Sequence, residues 1–260
     1  MYPFALAIIF ALWSETISTL GLLFILFFGL FAFVYPQDKY MLIYRIPCGI
    51  MALIMSYLLA NHLLPGFNNM KVLDQVYISR DGIPFTMYLN FDKTLITILI
   101  LGFGHQLIHK GKSWKVLLKQ SIPLMLPIFV IVLTFSYLLS LVHFDPKLPE
   151  SFFIWALVNL FFVCTAEEAF FRGFIQKYLK KWLISYPFGR WWAILITSLL
   201  FGFAYHTGGI KYMALATLTG FGYGWLYDQT QRIESSILTH FLLNTFHFLF
   251  FTYPALAEAY

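Results

Sequence analysis

The chain has 260 residues, 60% of them hydrophobic and only 11% charged, with a mean hydropathy of +0.75. A soluble domain is nearer half apolar and a quarter charged, so this composition excludes an ordinary water-soluble globule. The net charge of +5 does not come from one basic run interleaved with aromatics, which argues against nucleic acid as a partner. The bases sit in short segments between apolar runs, as topology signals do.

Several apolar runs reach the ~20 residues that cross a bilayer as a helix. Alternating strands of barrel type are not evident, so helices are the spanning solution. The expected fold is all-α, a polytopic membrane protein with about eight transmembrane helices. Phe4 to Trp13 is too short to span, and Met1 to Trp13 lacks the basic start of a cleaved signal peptide. After Ser14-Glu15-Thr16, with Glu15 read as interfacial, a first spanning helix is expected from about Ile17 to Tyr35. A second runs from about Met41 to Leu64 and ends before Pro65-Gly66.

Phe67 to Lys93 is the longest polar interval. Asn68-Asn69, Arg80-Asp81-Gly82 and Pro84 read as loop, and Asn90 or Asp92 is expected to cap the next helix. That third helix covers Thr94 to about His109, where His105 and His109, four apart, read as an interfacial pair rather than half a metal site. A fourth helix is expected from about Ile122 to Val142 and a fifth from Ser151 to about Ile184. Ser185 to Gly189 turns the chain.

The sixth helix, Arg190 to His206, stops at Thr207-Gly208-Gly209. On the seventh, Lys211 to Asp228, Ala216, Gly220 and Gly224 form a small-residue face that allows close packing. Gly220 to Gly224 is not a phosphate loop, because no strand precedes it. The eighth helix covers about Ser235 to Tyr253. Cys48 and Cys164 lie in apolar segments far apart and read as buried thiols without a disulfide. No repeat or linker divides the chain, so residues 1–260 read as a single membrane domain. Loops near 36–45, 109–119, 172–190 and 228–234 hold 12 of the 17 Lys and Arg, which makes that side cytoplasmic and puts both termini outside.

Chemistry is concentrated in Ala166-Glu167-Glu168-Ala169-Phe170-Phe171-Arg172. A carboxylate in or near hydrocarbon is costly and usually marks a functional site. The alternative is a pair of interfacial glutamates solvated by headgroups. Glu168 and Arg172 share a helix face and can pair, whereas Glu167 points about 100° away and stays free. Glu167 lies 20 residues before Pro187 and His206 lies 19 after it, so their depths agree within a few Å at about 1.5 Å rise per residue. A Glu167–His206 contact is therefore expected. Ser236, His240, Asn244 and His247 form a polar stripe on the last helix, facing protein or a wet cavity rather than lipid.

In this order, Glu-Glu-x-x-x-Arg, a His after a Phe/Gly-rich helix, and His-x-x-x-Asn resemble the CAAX-protease and bacteriocin-processing family of intramembrane endopeptidases. The resemblance covers roughly Ser151 to Tyr253, and residues 1–150 have no match to the family core. Where the family has Phe-x-x-x-His, Gly202 stands four before His206, flanked by Phe201 and Phe203.

The resemblance implies a catalytic core over 151–253 that cleaves near the terminus of a membrane-associated or lipid-modified peptide or protein. The expected location is a multi-pass position in a bacterial inner (cell) membrane. In the metal-free mechanism Glu167 is the general base and His206 helps hold the attacking water. His240 and Asn244 donate to the oxyanion, and Glu168 pairs with Arg172. No cofactor is expected in that version. A rival has Glu167, His206 and His240 holding zinc, with water as fourth ligand. A non-catalytic immunity or scaffold protein, or a transporter using Glu and His as a proton relay, are the readings from other classes.

Overall fold

The computed structural model describes residues 2–108 and 110–259. His109, and with it the expected His105–His109 pair, lies outside the described residues. His105 itself binds the Gly173 carbonyl through Nε2 at 2.9 Å.

The protein is mostly helical. In chain order the helices are α1 (Tyr2–Trp13), α2 (Thr19–Val34) and α3 (Leu42–Ala60). Next comes α4, which starts as Phe91–Ile96 and continues through the π-helical Thr97–Leu101 to Gly102–Gly104. Then follow α5 (Gly111–Leu138), α6 (Phe152–Leu183), α7 (Gly189–Ala204), α8 (Gly209–Thr230) and α9 (Ile233–Phe250). By length and composition α3, α5 from Ser113 and α6 can each cross a membrane, and the bent pair α7–α8 makes a fourth span if counted as one.

Two helix boundaries differ from the sequence reading. The third expected helix ends at Gly104, short of His109, and α5 starts at Gly111 rather than near Ile122. Of the lysines expected in a loop, Lys112, Lys115 and Lys119 lie in the first turns of α5, and Lys110 is its N-cap. Lysine is a good helix former, and its long stem lets the ammonium reach the interface. Pro123 and Pro127 lie inside α5.

The fold is not wholly α. The polar interval contains an antiparallel hairpin, β1 (Met70–Val76) with β2 (Phe85–Leu89), pairing Met70 with Leu89 and Val76 with Phe85. Phe85-Thr86-Met87-Tyr88-Leu89 is rich in the aromatic and β-branched types that suit strands. The hairpin rests on the start of α6 and the C-terminal tail. Trp155, 1% exposed, stacks on Phe248 at 4.0 Å and donates to Tyr253 Oη at 2.9 Å, and Phe85 meets Tyr253 edge-on. Asn90 occupies the N-cap of α4 as expected but makes no side-chain cap bond; Asn69 Oδ1 accepts from Phe91 N at 2.9 Å, while buried Asp92 binds His62 Nδ1 at 2.6 Å.

At the other end, Arg45 Nη1 pairs with Asp38 at 2.7 Å in the α2–α3 turn. The nearby Lys181 ammonium, with Arg45, holds the exposed Asp38 carboxyl below its ordinary pKa.

The expected small-residue face on α8 is present and packs against α6 and α7. Arg172 Nη2 donates to Gly220 O and Gln176 Nε2 to Gly224 O, both at 2.8 Å. A Cβ at Gly224 would lie 2.7 Å from Gln176 Oε1. The missing side chains thus expose helix carbonyls to polar groups of α6 that would otherwise be buried without partners.

Helices α7 and α8 fold back on each other at Gly202, where a Cβ would lie 1.9 Å from Thr217 Oγ1 and 2.7 Å from Met213 O. Overpacking of this kind costs about 1–3 kcal/mol. Gly202→Ala is therefore expected to lower the melting temperature in detergent by several degrees, and an unchanged melt would contradict this close crossing.

Candidate active site

The two adjacent glutamates sit on the four-residue α-helical stretch Thr165–Glu168 of α6, between π-helical turns Asn159–Cys164 and Ala169–Gln176. Such widened turns occur frequently at functional sites. Thr97 Oγ1 of α4 donates to Thr165 Oγ1 at 3.2 Å and ties this stretch to its neighbour.

Glu168 is fully buried and fully matched. Oε1 accepts from Arg172 Nη1 at 3.0 Å and from His240 Nδ1 at 2.9 Å, and Oε2 accepts from Ser236 Oγ at 2.5 Å. The predicted i, i+4 pair is present, with both side chains 0% exposed. The Arg172 guanidinium lies over Phe201 at 4.5 Å and Tyr223 at 5.4 Å, contacts that are favourable for a desolvated cation.

His240 is 3% exposed and stacks on Tyr223 with ring centroids 4.8 Å apart. An ionised carboxylate only accepts hydrogen bonds, so Nδ1 carries a proton and Nε2 faces away from Glu168. One turn on, Asn244 Nδ2 contacts Asn159 Oδ1 at 3.3 Å and Cys164 Sγ at 3.7 Å, and the Cys164 thiol donates to Asn159 Oδ1 at 3.2 Å. Cys164 is buried as expected, Cys48 is only partly buried, and both cysteines are free.

Glu167 is half-buried and accepts one hydrogen bond, from Tyr205 Oη to Oε2 at 2.7 Å. A cavity of about 100 Å³ is lined by Phe201, Tyr205, Tyr223, His240, Asn244 and His247, with apolar walls from α5 and α8. That space is large enough to admit water.

Helices α6 and α9 therefore bring together Glu167, Glu168, Arg172, His240 and Asn244. His206 stands apart. It lies in the 3₁₀ turn His206–Gly208, is exposed, stacks on Phe203 at 5.2 Å and contacts Phe203 O through Nδ1 at 3.0 Å. No hydrogen bond or ion pair joins it to Glu167 among the described residues. The depth match along the helix axes did not carry the contact, because the 3₁₀ turn after α7 sends His206 away. Ligands of one zinc each lie about 2.0–2.2 Å from it, and among the described residues no three His, Cys, Asp or Glu are so grouped.

Tyr205, Asn159 and Tyr223 were not singled out from the sequence. The available signal for Tyr205 was Phe201-x-x-x-Tyr205, an aromatic pair at helical spacing ending beside His206.

The chain has no match among curated proteins and none among solved structures. Residues 149–246, which contain Glu167, Glu168, Arg172, Tyr205, His206, His240 and Asn244, match the family model of type II CAAX prenyl endopeptidases described as Rce1-like, the family whose ordered motifs this sequence resembles.

Proposed function

We propose that the protein is an intramembrane endopeptidase that hydrolyses a peptide bond near the terminus of a membrane-associated or lipid-modified protein or peptide. The observation that carries this reading is the unequal treatment of two neighbouring carboxylates. Glu168 has three donors, one of them a buried arginine, whereas among the described residues Glu167 has one donor and no cation partner. The first holds the architecture; the second is left for chemistry.

In this mechanism Glu167, bound by Tyr205 from the cavity wall, takes a proton from a water as the water oxygen attacks the peptide carbonyl carbon. Negative charge moves onto the carbonyl oxygen, where His240 from Nε2 and Asn244 from Nδ2 donate hydrogen bonds. Preorganised donors of this kind contribute about 2.7–4 kcal/mol each to the barrier. Glu167 then gives its proton to the departing nitrogen, the C–N bond breaks, and a carboxylate and an amine leave. With both nitrogens of His240 protonated, the charges of Arg172 and His240 balance those of Glu168 and Glu167. The cavity has room for waters but not for a peptide, so an entering substrate must part the walls that α5 and α8 supply.

The aromatic abundance supports a membrane setting, and the expected eight spans belong to this proposal together with the cell-membrane location. Incubating the purified protein in lipid vesicles with membrane-anchored peptides tests the activity, and an internal cut near the peptide terminus is the expected product. Chelator-treated protein is expected to keep cleaving with well under one zinc per chain. Stoichiometric zinc, with activity lost on chelation and restored by zinc, would overturn the metal-free mechanism.

A further inference from the structure

A carboxylate acts as a base only if one oxygen is held while the other meets water. The resemblance expects a histidine at the end of the sixth predicted helix, and in this chain the only histidine on that stretch is His206. The geometry of the last turn of α7 favours its neighbour.

Phe201 is the residue that anchors α7 in the site. It is 2% exposed, lies under the Arg172 guanidinium at 4.5 Å and meets the His240 ring edge-on at 6.1 Å. One turn later, on the same face, comes Tyr205, whose ring centroid is 5.3 Å from that of Phe201. The backbone leaves the helix at Tyr205, and His206 opens the 3₁₀ turn. That turn carries His206 out to an exposed stack on Phe203. Gly202, at the position four before His206, faces α8 instead, where Thr217 leaves no room for an aromatic side chain.

Tyr205 Oη donates to Glu167 Oε2 at 2.7 Å, an ordinary length for a hydroxyl–carboxyl hydrogen bond. The same tyrosine lines the cavity shared with His240 and Asn244. We propose that Tyr205, and not His206, is the positioning residue at the C-terminal end of α7: its phenol fixes one oxygen of Glu167 and leaves the other for the attacking water.

The catalytic consequence rests on the peptidase reading, but the Tyr205–Glu167 bond does not, and the test keeps the two apart. Wild type, Tyr205→Phe, Tyr205→His and His206→Ala are prepared as full chains in lipid vesicles. The infrared carboxylate band of Glu167 is assigned by its absence in Glu167→Gln. Tyr205→Phe is expected to shift that band, and His206→Ala is expected to leave it in place. On a peptide that the wild type cuts, Tyr205→Phe should lower kcat by about 10- to 100-fold, the worth of one hydrogen bond to a charged group. KM and the melting temperature should hardly change. Tyr205→His, which keeps a donor at this position, should retain more activity than Tyr205→Phe, and His206→Ala should lose less. An unshifted band in Tyr205→Phe, or a larger loss in His206→Ala than in Tyr205→Phe, would overturn the proposal. Absence of any cleaved peptide would defeat the peptidase reading, while the infrared result would still decide the contact.

Discussion

Glu168→Ala and Arg172→Ala are each expected to destabilise the protein by about 3–5 kcal/mol, the usual cost of leaving one member of a buried ion pair without its partner. Both side chains are 0% exposed, and the network around them binds three helices. Glu168 draws in His240 and Ser236 from α9, and Arg172 extends to Gly220 on α8. Loss of the carboxylate leaves the guanidinium facing two aromatic rings with only a backbone carbonyl as acceptor. Loss of the arginine leaves the carboxylate held by neutral or titrating donors. At about 2–4 °C per kcal/mol for a chain of this size, melts in detergent should fall by roughly 6–20 °C. Activity should fall with them, because His240 is aimed by Glu168. Unchanged melting of both variants would contradict the structural role of the pair.

Glu167→Gln is expected to behave in the opposite way. Gln presents a carbonyl oxygen that can still accept from Tyr205, and the site loses no ion pair, since Glu167 has none among the described residues. Melting should stay close to that of the wild type. The amide cannot take a proton from water, so catalysis should fall by at least the 10²–10⁴-fold that a positioned base typically contributes. Stability lost at 168 and 172, and activity lost without stability at 167, form the pair of signatures that separates the two glutamates.

Much of this arrangement follows directly from helical periodicity. Glu168 with Arg172, and Ser236 with His240 and Asn244, are spaced by four, so their shared faces survive any detail of packing. The small face of α8 was likewise readable at Ala216, Gly220 and Gly224, although its second use, offering carbonyls to Arg172 and Gln176, needed the partner helix. His206 shows where the method stops. Counting rise along two helices places residues to within a few Å in depth, but α7 ends at Ala204 and the turn that follows exchanges His206 for Tyr205. The β1–β2 hairpin was hidden for a different reason. Its register shifts between Lys71 and Leu73 and again between Leu73 and Val76, which breaks the alternation that marks a strand. Its apolar partners, Trp155 and Tyr253, lie far along the chain. The early start of α5 was obscured by reading its lysines as a loop, when their stems suit a helix at the interface.

The central claim is that Glu167 activates water for cleavage of a membrane-associated substrate. Mass spectrometry of protein termini in membranes from cells carrying either the wild-type protein or Glu167→Gln, at equal abundance, tests it most directly. The account predicts a terminal fragment, with its shortened counterpart, that appears with the wild type and is absent with Glu167→Gln. Identical sets of termini in the two membranes would contradict it and favour a non-catalytic scaffold.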